Sequence, residues 1–452
     1  MTKRPLSLLI LTFLLGLAAV FNWQRSRPVQ AGPNPTSPPN WEQQPPGTAI
    51  SVGGGSVGAD TPNISIAPNQ RLLIVYNNWT GGPSNRDPYF AVSNNGGSSW
   101  SSPAAIYTSP GIDSFHVNAT YDAANTAHAL WAENDGALPL STASLRYSRN
   151  AGSGWSANPA TLSSLSSPLP IIVDPVIMAG ANNNLDAVWA EGNPIGAGGN
   201  PNIYYARSTD GGQTWSGKNP IRSTSPSSRL PSLAVSDDNR RHVVWAEGAV
   251  GGSTLVLYSQ GTLQGSDLVW STPITLSLGI TDTATQPQIV ADGNTLHVSF
   301  TRSRTVDPIY GDRDQWVMYT ACTADCSNLP NWSPRKTVSG EEDPVKVTQN
   351  TPFDLVSSLT TGNGCPFVFF HGAVPGTFDR ELIWDVNKCD NWAGGGRDRM
   401  TDESMRGINP SVTSSGNRLH VAYEWVAEPV HHVYWMSGKM QSAVYLPIVR
   451  RR

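Results

Sequence analysis

Ser208-Thr209-Asp210-Gly211-Gly212-Gln213-Thr214-Trp215 is the stretch on which the reading of this chain turns. Its chemistry is that of a tight turn between two strands. The Asp210 carboxylate is placed to accept from backbone N–H groups ahead of it. The Gly211–Gly212 pair supplies positive φ, and the Ser208 and Thr214 hydroxyls tie down the flanks. Trp215 then opens the next strand with a large apolar surface to bury between neighbouring sheets.

Weaker copies recur. Ser93-Asn94-Asn95-Gly96-Gly97-Ser98-Ser99-Trp100 carries Asn95 where the first copy has its Asp, and Ser148 to Trp155 is more eroded. Beyond these only the tryptophan persists, at Trp270, Trp332 and Trp392. The intervals are 55, 60, 55, 62 and 60 residues, and a step of 59 back from Trp100 reaches Trp41. Ser follows the Trp in five of the six later copies, with Pro103, Pro159, Pro220, Pro273 and Pro334 close behind. Seven tryptophans at one long period, among short alternating strands, read as the blades of a propeller.

The best copies give the unit: strand A at 231–235, strand B at 242–246, strand C at 255–259, and strand D from Trp270. Period-2 alternation of β-branched and aromatic residues supports strands throughout, and no stretch has a helical period. The last unit has strand A at 410–413, B at 419–425 and C at 431–436, but no Trp of its own. Trp41 and the strand-like 49–52 are expected to supply its outer strand, closing the ring with the N-terminus and removing an exposed edge. The tail strand 444–449 is the alternative. The fold class is therefore all-β: one propeller of four-stranded antiparallel blades, seven favoured and six the alternative.

The Ser-x-Asp-x-Gly-x-Thr-Trp pattern at 208–215 resembles the Asp box of the sialidase/BNR repeat family. The resemblance spans most of residues 41–440 as architecture, but its specific motif is confined to the boxes. It implies a propeller whose boxes, with Ser208, Asp210, Gly212, Trp215, Asn95 and Trp100, are structural. The family's enzymes are six-bladed, whereas the tryptophan period here counts seven.

Composition narrows the class further. A formal charge of −4 with 14% charged residues lacks the basic face that nucleic acid requires. The 42 Gly, 36 Pro and 16 Trp suit a turn-rich extracellular protein. Residues 1–31 read as a targeting segment: Lys3-Arg4, an apolar run from Leu6 to Phe21, and small-residue Val29-Gln30-Ala31. Arg25 and Arg27 leave an uncleaved N-terminal anchor as the alternative to cleavage, and no other membrane span is expected. Residues 32–47 read as a Pro-rich linker, 48–440 as the propeller and 441–452 as a tail. A secreted or cell-surface monomer is expected. Cys322, Cys326, Cys365 and Cys389 are even in number, which in an exported chain reads as disulfides, with zinc the minor alternative. The Cys322–Cys326 spacing falls where the fifth unit should have its box, and three connectivities remain open.

Topology chooses the functional face. In an A-B-C-D meander the boxes are C–D turns, so ligand chemistry belongs on the opposite side, with the longer B–C loops. There the ends of strand B carry a recurring acid: Glu133, Glu191 and Glu247 after Trp-Ala, and Glu424 in the last unit. The fifth unit puts Arg302 there and the sixth His371. Near the axis, strand A starts with a repeated x-Pro, as at Asp60-Thr61-Pro62, Asp174-Pro175, Gln286-Pro287, Thr351-Pro352 and Asn409-Pro410. In the fourth unit, Ser228-Arg229-Leu230-Pro231 resembles the family's Arg-Ile-Pro motif, whose Arg clamps a substrate carboxylate. Here it lies in the fourth unit and not before the first box.

A sialidase-like mechanism, as the resemblance implies it, needs a Tyr nucleophile with a Glu base and an Asp acid. Tyr310, Glu247 and Asp87 are the candidates. Arg229, Arg302, Arg313, Glu133, Glu191, Glu424 and His371 are the candidate ligand contacts. Three functions remain open: a propeller that binds a glycan or another extracellular ligand, a sialidase-like hydrolase of terminal acidic sugars, and a structural or assembly propeller. No motif calls for a metal or a cofactor.

Overall fold

The computed structural model describes residues 40–41, 48–50 and 58–440, except 80–84, 136–140, 167–168, 193–199, 250–252, 266, 308–311, 340–344, 348–354, 363, 374–379, 387–397, 401–406 and 428–429. The targeting segment, most of the linker and the tail lie outside them.

Among the described residues there are seven antiparallel sheets and only two short 3-10 segments, Ala181–Asn183 and Leu329–Asn331. Blade 1 runs Ala59–Ile66, Leu72–Trp79, Arg86–Ser93 and Ala104–Ala105. Blade 2 runs Asp113–Tyr121, Ala127–Asn134, Thr142–Asn150 and Ala160–Ser166. Blade 3 runs Ile171–Ala179, Leu185–Gly192, Asn202–Ser208 and Asn219–Arg222. Blade 4 runs Ser227–Val235, Arg241–Gly248 and Thr254–Gln264, with outer pieces Asp267–Trp270 and Ile274–Thr275. Blade 5 runs Thr283–Asp292, Thr295–Asp307 and Asp312–Cys322, with Lys336–Thr337 and Val345–Val347 outside. Blade 6 runs Ser357–Gly362, Cys365–Ala373, Arg380–Val386 and Asp398–Arg399. Blade 7 runs Gly407–Ser415, Arg418–Ala427 and Val430–Lys439.

The outer edge of blade 7 comes from the N-terminus. Asn40–Trp41 pairs with Gly438 and Lys439, and Thr48–Ala49 with Tyr434 and Trp435. Ile50 continues the pairing through its N–H to the Val433 carbonyl (2.8 Å) and is buried. The closing strand thus begins inside the stretch read as linker. Strand A of each blade packs on strand A of the next, and that of blade 7 on that of blade 1.

Seven apolar clusters fill the seven joints between neighbouring blades. Strand B is covered on both sides by those joints. In blades 1 to 4 it is buried at seven consecutive positions, which is why it reads as a continuous apolar run such as Leu72-Leu73-Ile74-Val75-Tyr76.

The repeat tryptophan packs into five of these joints. Trp100 meets Trp435, Trp155 meets Phe90, Trp215 meets Tyr147, Trp270 meets Tyr205 and Trp332 meets Tyr258. All five are edge-to-face contacts, 5.0–5.5 Å between centroids, onto strand C of the preceding blade. Such contacts contribute about 0.5–1.5 kcal/mol beyond burial. The Ser after the Trp answers the second repeat signal. Its N–H donates to a strand C carbonyl in blades 1 to 5, at Val92, Arg149, Arg207, Gln260 and Ala321. The Trp does not open strand D as the sequence suggests. It sits in the turn, with strand D about a turn further on, except at Trp270, which ends a strand.

In the full box, Asp210 Oδ1 accepts from the N–H groups of Gln213 and Thr214 (both 2.9 Å), and Oδ2 from the Thr214 hydroxyl (2.6 Å). Gly212 N–H donates to Ser208 Oγ (2.8 Å). These donors, the Thr214 hydroxyl foremost, pull the Asp210 carboxyl down to about 2. Asn95 reproduces the pattern through the Ser99 N–H (2.9 Å). In blade 5 the Cys322–Cys326 disulfide stands where the box would be, and Trp332 Nε1 donates to the Cys326 carbonyl (2.8 Å). Cys365 is also disulfide-bonded, and Cys389 lies outside the described residues.

The two box glycines have different reasons. At Gly212 (φ +78°) a Cβ would fall 1.7 Å from Tyr147 Oη, and at Gly97 (φ +94°) 1.8 Å from Trp435 Cη2. Gly211 (φ +69°) has nothing within 4 Å. Gly211→Ala is therefore expected to cost only its backbone strain, about 1 kcal/mol. Gly212→Ala adds a collision with the neighbouring blade and should cost about 3 kcal/mol or more in urea unfolding. Equal losses in the two variants would show that the glycine pair serves the turn alone.

Candidate ligand site at the mouth of the axis

Strand A carries a β-bulge in six blades, between Asp60 and Asn63, Phe115 and Asn118, Val173 and Val176, Arg229 and Ser232, Thr285 and Gln288, and Ile408 and Ser411. Inside every one sits a non-glycine residue at positive φ: Thr61 (47°), His116 (54°), Asp174 (54°), Leu230 (54°), Gln286 (53°) and Asn409 (49°). The counterpart in blade 6 lies outside the described residues. Proline follows in five of the six, and its missing N–H suits a position with no ladder partner. This is the physical content of the x-Pro repeat. Six strained residues at equivalent places ring the axis on the side opposite the boxes, where bulges re-aim side chains.

The N–H groups freed there are taken up by the preceding blade. Asp174 Oδ2 accepts from Leu230 N–H (3.1 Å), His116 Nδ1 lies 3.2 Å from the Asp174 nitrogen, and Glu424 Oε2 accepts from Thr61 N–H (3.4 Å). A few residues on, Asn63, Asn118, Ser232, Ser358 and Ser411 take N–H groups of the next blade's strand A at 3.0–3.1 Å. The inner strand edges are satisfied sideways, blade to blade, which leaves the polar side chains at the mouth in fixed positions.

Two carboxylates flank Thr61. Asp60 Oδ1 accepts from the Thr61 hydroxyl (3.0 Å) and Asn77 Nδ2 (2.9 Å), and its Oδ2 from Trp79 Nε1 (3.0 Å). On the other side Glu424 accepts from Asn409 Nδ2 (2.8 Å) and pairs with His431. Beside them Arg86 forks onto Asp113 (Nε–Oδ1 3.0 Å, Nη2–Oδ2 2.6 Å) while lying over the rings of Trp79 (5.5 Å) and Phe115 (5.8 Å). The Asp113 hydrogen bond raises the Arg86 pKa further, so this guanidinium is a fixed, paired cation.

At blades 2 to 4, His116 Nδ1 is 3.1 Å from Asp174 Oδ1. With Nδ1 bare it accepts the Asp174 N–H; with Nδ1 protonated it donates to the carboxylate. Burial alone pushes the Asp174 carboxyl up. The His116 hydrogen bond and charge, the Arg229 charge and the Leu230 N–H outweigh it and hold it below the usual range. Arg229 Nε has no hydrogen-bond partner among the described residues. The side chain of His116 is 42% exposed, so this end of the pair is open to a ligand.

No family model matches the chain, and no curated protein does. Among solved structures it is similar to a protein of unknown function from Dyadobacter fermentans, at 12% identity and TM-score 0.51, over 87% of this chain and 98% of that one. It is similar too to an α-L-arabinanase of Penicillium chrysogenum complexed with arabinobiose, at 11% identity and TM-score 0.47, over 89% and 97%. The NanB sialidase of Streptococcus pneumoniae aligns at 12% identity and TM-score 0.44, over 90% and 71%. What is shared is the propeller fold. At these identities nothing finer passes from them to this propeller, and its site rests on its own residues.

The recurring acids prove to be joint-building groups. Glu133 accepts from Trp131 Nε1 (2.8 Å) and the Ser109 hydroxyl (3.2 Å), with Arg146 3.6 Å away. Glu191 takes Trp189 Nε1 (2.7 Å), the Ser163 hydroxyl (2.6 Å) and Lys218. Glu247 takes Ser228 Oγ (2.9 Å), Trp245 Nε1 (3.3 Å) and Arg222 (3.2 Å). In each, Trp-x-Glu is a local unit: side chains two apart on a strand share a face, so the indole N–H reaches the carboxylate.

Glu424 does not belong with them. Glu133, Glu191 and Glu247 pair two positions before the bulge residue, and Glu424 pairs one before it, at Ile408. That one-residue shift turns it to the other face of its sheet, toward Thr61 of blade 1. The single rim of four carboxylates expected from sequence is therefore three plus one.

Arg302 is in register with the three Glu, bonded to Asp282 (2.7 Å) and lying over Trp316 (4.8 Å). Arg229 acts on Asp174 of blade 3 and Glu247 is held by Arg222, so these two candidates and Arg302 each have a different partner. Asp87 is buried, accepting the Ser109 N–H (3.0 Å); His371 is fully buried; Arg313 lies on strand C of blade 5. Tyr310 lies outside the described residues. Sequence reasoning passed over Asp60, Trp79, Arg86, His116 and His431 as site residues. The signal for the first lay in the residues just ahead of each x-Pro. His116 had none, because Val117 stands where the proline would be.

Proposed function

We propose that the chain is an exported, BNR-type propeller that binds a hydroxyl-rich glycan at the mouth of its axis, on the face opposite the boxes. One observation carries the reading: five of the six positive-φ bulge residues, Thr61, His116, Asp174, Gln286 and Asn409, are polar, and half-buried Trp79 bonds to Asp60 beside the first of them. Carboxylates and amides there accept and donate to sugar hydroxyls, and an indole face suits the apolar side of a pyranose. Arg86, Arg222 and Arg302 are paired with Asp113, Glu247 and Asp282, and the Arg229 charge is set against the Asp174 carboxylate, so the mouth favours a neutral sugar over an acidic one. The Cys322–Cys326 disulfide fits an oxidising compartment, as export requires.

A glycoside hydrolase is the second reading, favoured by Asp60 and Glu424 on either side of Thr61, since such hydrolysis runs on paired carboxylates. A glycan array followed by a panel of fluorogenic glycosides separates the two. Trp79→Ala, His116→Ala and Arg229→Ala should each weaken binding at least about tenfold, a loss of ~1.4 kcal/mol, with the melting temperature little changed. Asp210→Ala should lower stability and keep affinity in the folded fraction. Normal binding by all three mouth variants would remove the site from this face. If substrates turn over, Asp60→Asn and Glu424→Gln should abolish turnover while retaining binding.

A further inference from the structure

Blade 4 departs from the repeat on the box face. Where blade 3 closes strand C with its box, blade 4 extends strand C to Gln264 and returns through Asp267–Trp270, pairing Gly261 with Trp270 and Gln264 with Asp267. This hairpin stands beside the intact box of blade 3, and a groove of about 510 Å³ opens between them.

We propose that this groove is a second, independent carbohydrate site, taking a neutral oligosaccharide. Its two walls each present an aromatic ring, Trp215 from the box and Trp270 from the hairpin, both half-buried and so neither sealed in the core nor free in solvent. The parts of these rings left uncovered by their joints suit the flat apolar faces of sugar rings. Between them Thr209 and Asn219 are exposed and supply a hydroxyl and an amide for sugar hydroxyls. One arginine, Arg207, and one aspartate, Asp267, line the groove, so it carries no net charge with which to prefer an anionic ligand. The volume is within the ordinary range for small-ligand sites, about 300–1,000 Å³.

The box supports this site without being consumed by it. Asp210 spends its carboxylate on its own turn, and Gly212 holds the turn against Tyr147, so the wall is rigid before any ligand arrives. The reading does not depend on the axial mouth, because the groove lies on the other face.

The test is a glycan array of neutral cello-, xylo-, manno- and galacto-oligosaccharides, with titration calorimetry on any hit. Asn219→Arg and Thr209→Arg fill the groove from exposed positions, with folding checked by circular dichroism. Each should weaken binding of the groove ligand at least about tenfold, and Trp270→Ala likewise if it folds. Trp79→Ala, at the axial mouth, should leave that binding unchanged. Binding that survives both arginine variants, binding lost only with Trp79→Ala, or no neutral oligosaccharide bound at all would each overturn the proposal.

Discussion

Removal of residues 38–57 is expected to lower the melting temperature by about 5 °C or more, or to abolish the cooperative transition. The deleted stretch holds the strands that pair with Tyr434, Trp435, Gly438 and Lys439, and the buried Ile50 of the blade 7 to blade 1 core. Burying one Ile contributes about 1.5–3 kcal/mol, and each ladder hydrogen bond about 1 kcal/mol net, so roughly 5 kcal/mol is at stake. In a chain of this size that is several degrees. The deletion also leaves strand C of blade 7 as a bare edge, so the truncated protein should self-associate where the parent does not. A synthetic peptide of residues 38–58 added in trans should restore stability in proportion to its concentration, because it binds only the folded ring. A truncated protein that melts with the parent sinks the closure.

The second large effect is acid destabilisation that begins well above the carboxylate range. Strand B of blades 2, 4 and 5 starts with a buried histidine whose Nδ1 faces a strand C tyrosine hydroxyl: His128 with Tyr147 (2.7 Å), His242 with Tyr258 (2.8 Å) and His297 with Tyr319 (2.6 Å). Burial pulls His242 and His297 down to about 4, and lowers His128 as well. The unfolded chain takes up protons on these rings near pH 6.5, while the folded one resists until about pH 4. Stability is therefore complete above about pH 6.5 and falls as pH drops from there toward 4. A shift of that size corresponds to roughly 3 kcal/mol for each of the two histidines. The depressed Asp210 and Asp174 add a separate loss at lower pH, below the unfolded carboxylate value and as pH falls through their folded ones. Urea unfolding from pH 7.5 to 4 measures this directly. The double variant His242→Gln/His297→Gln should start less stable at pH 7 and show a much flatter profile down to pH 4. An unchanged slope would mean that other groups carry the acid response.

Repetition made the scaffold readable. The tryptophan period located five of the blade joints, each filled by one large ring, and the Ser after each of those Trp marked the turn's backbone bonds. The missing Trp of blade 7 and the period step back to Trp41 pointed to N-terminal closure for the same reason. Local chemistry likewise sufficed for Asp210, whose partners lie within four residues, whereas the Cys322–Cys326 pairing, one of three connectivities open in the sequence, was chosen by the structure.

What the chain alone determined about this protein is thus the set of features whose partners are near in sequence or recur at a fixed period: the blade and the box. Its period favoured seven blades and N-terminal closure over six blades and the tail strand, a choice the sheet pairing made. Tertiary structure decided the rest. Glu424 looked like Glu133, but a one-residue register difference against strand A turned it to the opposite side of its sheet. Arg229 and Arg302 were both candidate ligand contacts, yet their partners Asp174 and Asp282 come from neighbouring stretches that no local pattern links to them. The mouth of the axis brings together Thr61 and Glu424, 363 residues apart, and His116 and Asp174 from adjacent blades. A side chain's face depends on register, and its partner on how blades are rotated about the axis. Both are set by the packing of whole sheets, which leaves no imprint on the residues immediately around it.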